Sequence, residues 1–335
     1  MPDEFNKFTM NPFDKLYKPG KMTLGIEFPL DNDWSSEGNR KRLEDNRPFG
    51  VPDISNHLAF AKQIDDAGFA ALWMRDVPVY DPNFGDGAQL FDTLPYLGYL
   101  SAATKNILLG TAAIVLPLQQ PIKLAKAAAT IENLSDGRLL LGLGLGDRPV
   151  EFPMYNIDYN KRPEIFRNNL DIIKEAWKIN SDLNSKYDFL TSGIEVYPKP
   201  KKDIPLVVAG HSGQSINWIA KNAQAWFNYP RPVAETLENR KYWCNALYDE
   251  DQAAKPYITA IHLNLDPNDN ATFKPQRFGG TVGINHLTEY LKEYENVGVN
   301  HMAINLRKSE RPVSEAIAKI KDVVLPEFNI RFETA

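Results

Sequence analysis

The chain's candidates for acid-base chemistry are Glu27, Arg75 and Asp76, two carboxylates and a guanidinium placed just after short apolar runs. Paired carboxylates could share hydrolytic work as acid and base; equally, Arg75 could neutralise either acid in a structural ion pair. A second kind of chemistry is offered by Gly210-His211-Ser212-Gly213-Gln214-Ser215. Two hydroxyls, a flexible glycine and the free amides of a helix beginning near Ser215 make an anion site, strengthened by the helix dipole. The same residues could form only a capped helix, because Ser is a favoured N-cap. His211 either assists the anion or serves as a polar spacer. Gly142, Gly144 and Gly146 alternate as G-x-G-x-G and are followed by Asp147-Arg148-Pro149. That is not the G-x-G-x-x-G that opens a helix in a dinucleotide fold. The histidines, at 57, 211, 262, 286 and 301, have no metal-ligand spacing, and no H-E-x-x-H, C-x-x-C or G-x-S-x-G occurs. Neither a metal centre nor a nucleophile elbow is expected.

These residues need elements to position them, and residues 106–146 show the pattern. Ile107 to Leu109 and Ile114 to Leu116 are apolar runs too short for a helix, punctuated by Pro117 and Pro121. Leu124, Ala128, Ile131 and Leu134 then repeat at helical period, and Ser135-Asp136-Gly137 stops the helix. Residues 139–143 follow as a continuous apolar strand, as a parallel sheet covered on both faces requires. The glycines at its end allow backbone to approach a ligand. This βαβ alternation continues, with strands expected at 22–28, 69–74, 205–209, 225–229, 257–263 and 301–305. Helical faces are expected at Ile54, Leu58, Ala61 and Ile64; at Leu90, Leu94, Leu97 and Leu100; and at Phe166, Leu170, Ile173 and Trp177. Further helices are expected over 215–222, 233–248, 283–295 and 313–324. Eight strands, each followed by a helix, predict an α/β fold, the (β/α)8 TIM barrel, whose active site lies at the carboxyl ends of the strands. Residues 29–52 read as a polar loop far longer than usual βα connections, either a lid or an interface element. Residues 147–203 form an insertion region between the fourth and fifth strands.

Several of these pieces, taken together, are specific. Thr111-Ala112-Ala113, Val115-Leu116-Pro117, Gln120-Pro121, Asp136-Gly137-Arg138, the Gly142 to Gly146 stretch and Glu151-Phe152 resemble the signature segment of the bacterial luciferase-like monooxygenases, a family of barrel flavin or deazaflavin enzymes. Leu72-Trp73, residues 162–177, Ala209-Gly210-His211-Ser212-Gly213 and residues 301–312 resemble further family segments, so the likeness spans about 22–328. The resemblance implies a non-proline cis peptide at Ala112-Ala113 behind the flavin ring, where side chains must be small. It also implies that Ser212, Gly213 and Ser215, with His211, hold the cofactor phosphate, and that Gly144 lies beside the cofactor. Luciferase itself has an arginine near the position of Leu145; this chain departs there, and Arg148 is the nearest cationic substitute. The luciferase Glu-His-His run is replaced by Arg75-Asp76-Val77-Pro78, so a histidine that titrates near neutrality corresponds to a carboxylate, Asp76. Aldehyde-oxidising light emission is therefore not implied.

The implied activity is that of a monooxygenase using reduced FMN and oxygen on a small organic substrate, FMN being favoured by the Ala-Ala pair. The alternatives are a deazaflavin-dependent hydride-transfer oxidoreductase, a non-catalytic flavin-binding protein and a cofactor-free barrel hydrolase. A separate flavin reductase drawing on NAD(P)H would supply reduced cofactor. Family likeness and the apolar face of residues 90–100 point to a homodimer.

The 335 residues are expected to form one barrel domain, since α/β barrels with insertions run to this length. A net charge of −5 offers no basic surplus for nucleic acid or an anionic membrane. The single cysteine, Cys244, excludes an internal disulfide. The N-terminal residues carry acids and no apolar core of a secretory signal, and no apolar run approaches the roughly 18 residues of a membrane span. A cytoplasmic protein is the expectation.

Overall fold

Eight short apolar runs close into a parallel barrel. The computed structural model describes residues 12–30, 34–49, 51–81, 83–84, 91–183, 187 and 193–328. The barrel strands are β1 (Thr23–Phe28), β2 (Ala71–Met74), β3 (Leu108–Thr111), β4 (Leu139–Gly144), β5 (Leu206–Ala209), β6 (Ala225–Asn228), β7 (Tyr257–Leu265) and β8 (His301–Asn305). Each pairs in parallel with the next, and β8 closes the ring by pairing with β7 through His301 and Ile258 and with β1 through His301 and Thr23. Closure gives every barrel strand a paired neighbour on both sides and so leaves none with an open edge. Helices His57–Ala67, Thr93–Ala103, Pro121–Leu134, Arg162–Trp177, Ile216–Asn222, Val233–Asp249, Ile284–Asn296 and Val313–Lys319 follow the eight strands in turn. Their apolar faces and the outward strand residues form the main core, with Leu72, Leu109, Leu141 and Met302 all essentially sealed from solvent. Leu90, expected on the third helical face, lies outside the described residues.

Side chains fill the barrel interior as a second, separate core of Ala71, Trp73, Leu108, Leu140, Val207, Ala225, Ile258 and Ala303. Trp73 and His301 fit together there because two neighbours are glycines. A Cβ on Gly110 would stand 2.4 Å from the Trp73 ring, and one on Gly25 would stand 2.7 Å from His301 Nε2. Trp73 Nε1 donates to His301 Nε2 at 2.9 Å, so the His301 proton must sit on Nδ1, facing Thr23 Oγ1 at 2.7 Å. Thr23 Oγ1 passes a hydrogen bond to Leu16 O at 2.8 Å. Burial pushes the pKa of His301 down to about 3, which keeps this interior uncharged. Leu16 itself is fully buried against the interior core, with Phe13 beside it, so the segment before β1 plugs the amino-terminal end of the barrel.

Ile54, Leu58 and Leu134, expected on buried helical faces, are exposed instead, and two elements also depart from the sequence reading. The expected loop 29–52 contains a helix, Ser36–Glu44. It has almost no apolar face and is held instead by polar contacts. Ser35 accepts from Gly38 N at 2.9 Å, Arg40 pairs with Glu37 and Glu44, and Ser36 donates to Glu310 from both its N–H and its hydroxyl at 3.2 Å. Between β7 and the following helix, an unexpected hairpin of Lys274–Gln276 and Gly279–Val282 adds to β7 beyond the barrel.

Candidate active site

A cavity of about 850 Å³ opens where the strands end, and all eight strand ends contribute to its wall. Glu27 comes from β1, Arg75 and Asp76 from the exit of β2, Ala112 and Ala113 from that of β3, and Gly144 to Arg148 from β4. Gly210, His211 and Ser212 follow β5, Asn228 to Pro230 follow β6, His262 lies on β7, and Asn305, Arg307 and Lys308 close the ring from β8. Of the proposed site residues, Gly213 and Ser215 alone do not line it.

The Ala112-Ala113 bond is cis, as the resemblance implied. Both alanines line the cavity beside Gly144, where an added Cβ would come within 3.3 Å of Ala113 Cβ. At Ala112, Ala113 and Gly144 the wall carries no side chain larger than a methyl group, a surface that a planar ring can lie against. The volume is ample for such a ring and a small substrate together, since ordinary ligand pockets run from about 300 to 1,000 Å³.

Asp76 is half-buried and accepts from Val115 N at 3.0 Å and Gln119 Nε2 at 3.4 Å. Burial, with Asp92 nearby, outweighs these bonds and pushes its pKa up to about 6. It is thus a carboxyl that gains and loses a proton close to physiological pH. Glu27 is buried and accepts from Asn305 Nδ2 at 2.7 Å. The backbone of Arg75 is fixed by Thr93 Oγ1, which donates to Arg75 O at 2.8 Å. Arg148 is buried, faces Glu151 at 3.4 Å and lies over the Phe84 ring with its guanidinium carbon 4.7 Å from the centroid.

The Gly210 to Ser215 loop is built more tightly than its composition suggests. Trp226 Nε1 donates to Gly210 O at 2.7 Å, and Ser212, buried at a φ of +48°, donates its hydroxyl to Ala209 O at 2.9 Å. Gln214 is buried and pins the loop to helix Arg162–Trp177 by donating to Pro163 O at 3.0 Å and accepting from Arg167 Nη1 at 2.9 Å. Gly213 packs on Pro163, and Ser215 is the exposed N-cap of helix Ile216–Asn222, accepting from Trp218 N at 3.1 Å. Ser215 thus takes the capping role that its sequence also allowed, with its oxygen accepting from its own helix. His211 lines the cavity with its ring edge-on to Trp226, 5.5 Å between centroids.

Trp34 comes from the long loop 29–52, Phe84 from the residues after Asp76 and Arg162 from the insertion region 147–203, the segments expected to wall the pocket, whereas Arg277 and Phe278, on the unexpected hairpin, were invisible to the sequence reading. Arg162 crosses the mouth by donating to Gly146 O and Tyr159 O, both at 2.6 Å. An arginine in a polar stretch carries no local signal of a pocket. Among the described residues, the wall carries six cations (Arg75, Arg148, Arg162, Arg277, Arg307, Lys308) against four carboxylates (Glu27, Asp76, Asp147, Glu151). The described residues contain no group of three His, Cys, Asp or Glu able to hold a metal ion, and no helix long and apolar enough to cross a membrane.

Comparisons with known proteins agree with this geometry. The model of the family described as luciferase-like monooxygenase matches residues 22–272. An uncharacterized protein of Mycobacterium tuberculosis is 34% identical over 195 residues, covering 52% of this chain and 68% of that one. The F420-dependent hydroxymycolic acid dehydrogenase of the same organism is 26% identical over 181 residues, 52% of this chain and 49% of its own length. Among solved structures, the monooxygenase RslO1 from Streptomyces bottropensis superposes with a TM-score of 0.69 at 17% identity, over 91% of this chain and 99% of that one. An F420-dependent secondary alcohol dehydrogenase, solved with an F420-acetone adduct, superposes with a TM-score of 0.70 at 15% identity, over 92% of this chain and all of the other. At these identities the superpositions speak to the barrel fold.

Proposed function

The chain belongs to the luciferase-like monooxygenase family, and from that premise we propose that it is an oxidoreductase that holds the ring of a flavin-type cofactor against Ala112 and Ala113 and applies it to a small organic substrate. The observation that carries this reading is the cis Ala112-Ala113 bond at the wall of the 850 Å³ cavity, with Gly144 leaving the adjoining surface flat. When bound, a flavin supplies electrons to oxygen and a deazaflavin supplies or accepts hydride. The chain's own residues do the rest. The amides of the Gly210 to Ser212 turn, held by the Ser212 bond to Ala209 O, would face the cofactor phosphate, with Arg148, itself held by Glu151, as the cation near it. Asp76, poised near pH 6 at the exit of β2, exchanges a proton with the substrate. Phe84 and Trp34 narrow the mouth and exclude water.

FMN with oxygen is the first reading, supported by the luciferase form of the Ala-Ala pair. A deazaflavin with direct hydride transfer is the second, supported by the F420-dependent relatives at 26% identity. Titration of FMN, riboflavin and the deazaflavin coenzyme into the protein, followed by fluorescence quenching, separates them. The cofactor that binds at micromolar concentration is then reduced, in the FMN case through a flavin reductase and NAD(P)H, and oxygen uptake is measured. Failure of all three to bind would reject the oxidoreductase reading and leave the Glu27 and Asp76 hydrolase as its replacement.

A further inference from the structure

Barrel order divides the cavity into two walls. The ends of β3, β4 and β5 carry the positions assigned above to the cofactor, and the ends of β7, β8 and β1 form the facing side. The cations on the first wall are already engaged: Arg148 faces Glu151 at 3.4 Å, and Arg162 is spent on Gly146 O and Tyr159 O. The facing wall is different. Arg277 occupies the turn of the hairpin between Lys274–Gln276 and Gly279–Val282, and its guanidinium lies over the Phe278 ring at 4.7 Å. Lys308, three residues beyond β8, holds its Nζ 5.5 Å from the centroid of Trp34. Among the described residues, neither cation has a carboxylate within ion-pair distance, and both line the cavity. The one carboxylate on this wall among the described residues, Glu27, already accepts from Asn305.

An aromatic face holds a cation in position without neutralising it, and it is a weaker partner than an anion. Two cations parked this way on one side of the same cavity, from the β7 hairpin and the β8 exit, are set to exchange ring contacts for charge-assisted hydrogen bonds. The planar fork of Arg277 matches the oxygens of a carboxylate or phosphate, while Lys308 adds a mobile point charge. Resting on the reading of this cavity as an oxidoreductase pocket, we propose that Arg277 and Lys308 clamp an anionic substituent of the substrate, a carboxylate or phosphate, with Phe278 and Trp34 holding the two cations ready. The substrate class is then a small organic acid or phosphate ester whose reactive carbon lies deeper, toward Asp76 and the Ala112-Ala113 wall.

The test is calorimetric titration of malonate and of inorganic phosphate into the whole protein at low salt, saturated with FMN or, if only that binds, the deazaflavin. The parent and the double variant Arg277→Gln/Lys308→Gln are compared, with parallel titrations of FMN and riboflavin into both. The parent should take up one anion per chain, and the double variant should bind it about tenfold or more weakly, while both flavins bind parent and variant alike. Preference for malonate or for phosphate identifies which anion the clamp fits. No saturable anion binding to the parent, or equal binding to the variant, would overturn the proposal. So would weakened binding of FMN but not riboflavin in the variant, because the clamp would then read the cofactor's own phosphate. If no flavin or deazaflavin binds the parent, it is the oxidoreductase reading that fails, and the anion titration still decides the clamp by itself.

Discussion

Asp76 is the residue on which chemistry and stability meet. Its pKa in the folded chain, about 6, stands above the usual carboxylate value of about 3.9. The folded state therefore binds this proton more tightly than the unfolded state. Its charge costs the fold fully above pH 6, and stability is recovered as pH falls from 6 toward 4. Asp76→Asn keeps an acceptor for Val115 N and removes the charge. The variant should be more stable than the parent at pH 8, by about 1–2 kcal/mol after allowance for partial exposure, with the difference vanishing near pH 4. Urea unfolding at the two pH values measures this. If Asp76 transfers a proton, kcat should fall by about 10²–10⁴ and the inflection near pH 6 should disappear from its pH profile. A variant within a few-fold of the parent at every pH would make Asp76 a structural residue.

At the scale of elements, a single carboxylate ties the second helix to the third strand. Asp65, at the end of helix His57–Ala67, accepts from Lys105 N at 2.6 Å, Asn106 N at 3.0 Å and Ile107 N at 2.8 Å, just before β3 begins. Those amides belong to the turn into a buried strand and have no ladder partner there, so the carboxylate is their satisfaction. Asp65→Ala should cost about 2–4 kcal/mol, seen as a thermal midpoint lowered by several degrees. Asp65 serves the amino-terminal end of β3, while the cavity lies at its carboxyl end. Cofactor affinity below the transition should therefore match the parent, and a joint loss of both would show that the strand relays strain along its length.

The whole molecule depends on how the barrel interior is stopped at its two ends. Ala112 marks the interior core at the cavity end, and Leu16 with Phe13 closes it at the other. Leu16 reaches the interior from outside the alternating pattern, yet it is fully buried. Leu16→Ala should open a void beneath Ala71, Leu108 and Ala303 and cost about 2–4 kcal/mol, a loss readable by denaturant unfolding. Were the cost below about 1 kcal/mol, the plug would be able to collapse into the space and the end of the barrel would be softer than its packing indicates.

The sequence by itself determined the barrel, because strand and helix periods record locally which face of each segment is buried. It placed β4 and the helix Pro121–Leu134 closely, and it marked Ala112-Ala113 and Asp76 as strand-exit residues of the same cavity. It did not show the helix Ser36–Glu44, whose stability comes from a cap, ion pairs and a contact with Glu310 in place of an apolar face. Nor did it show that the buried Gln214 pins the Gly210 to Ser215 loop to Pro163. The meeting of Lys308 with Trp34, and of Leu16 with the barrel interior, was equally out of reach. The contacts of Glu310, Gln214, Trp34 and Leu16 join segments distant in the chain, and no local periodicity encodes them. They exist only because closing β8 onto β1 brings the two ends of the sequence to one ring, so the tertiary structure alone decides which side chains face each other across it.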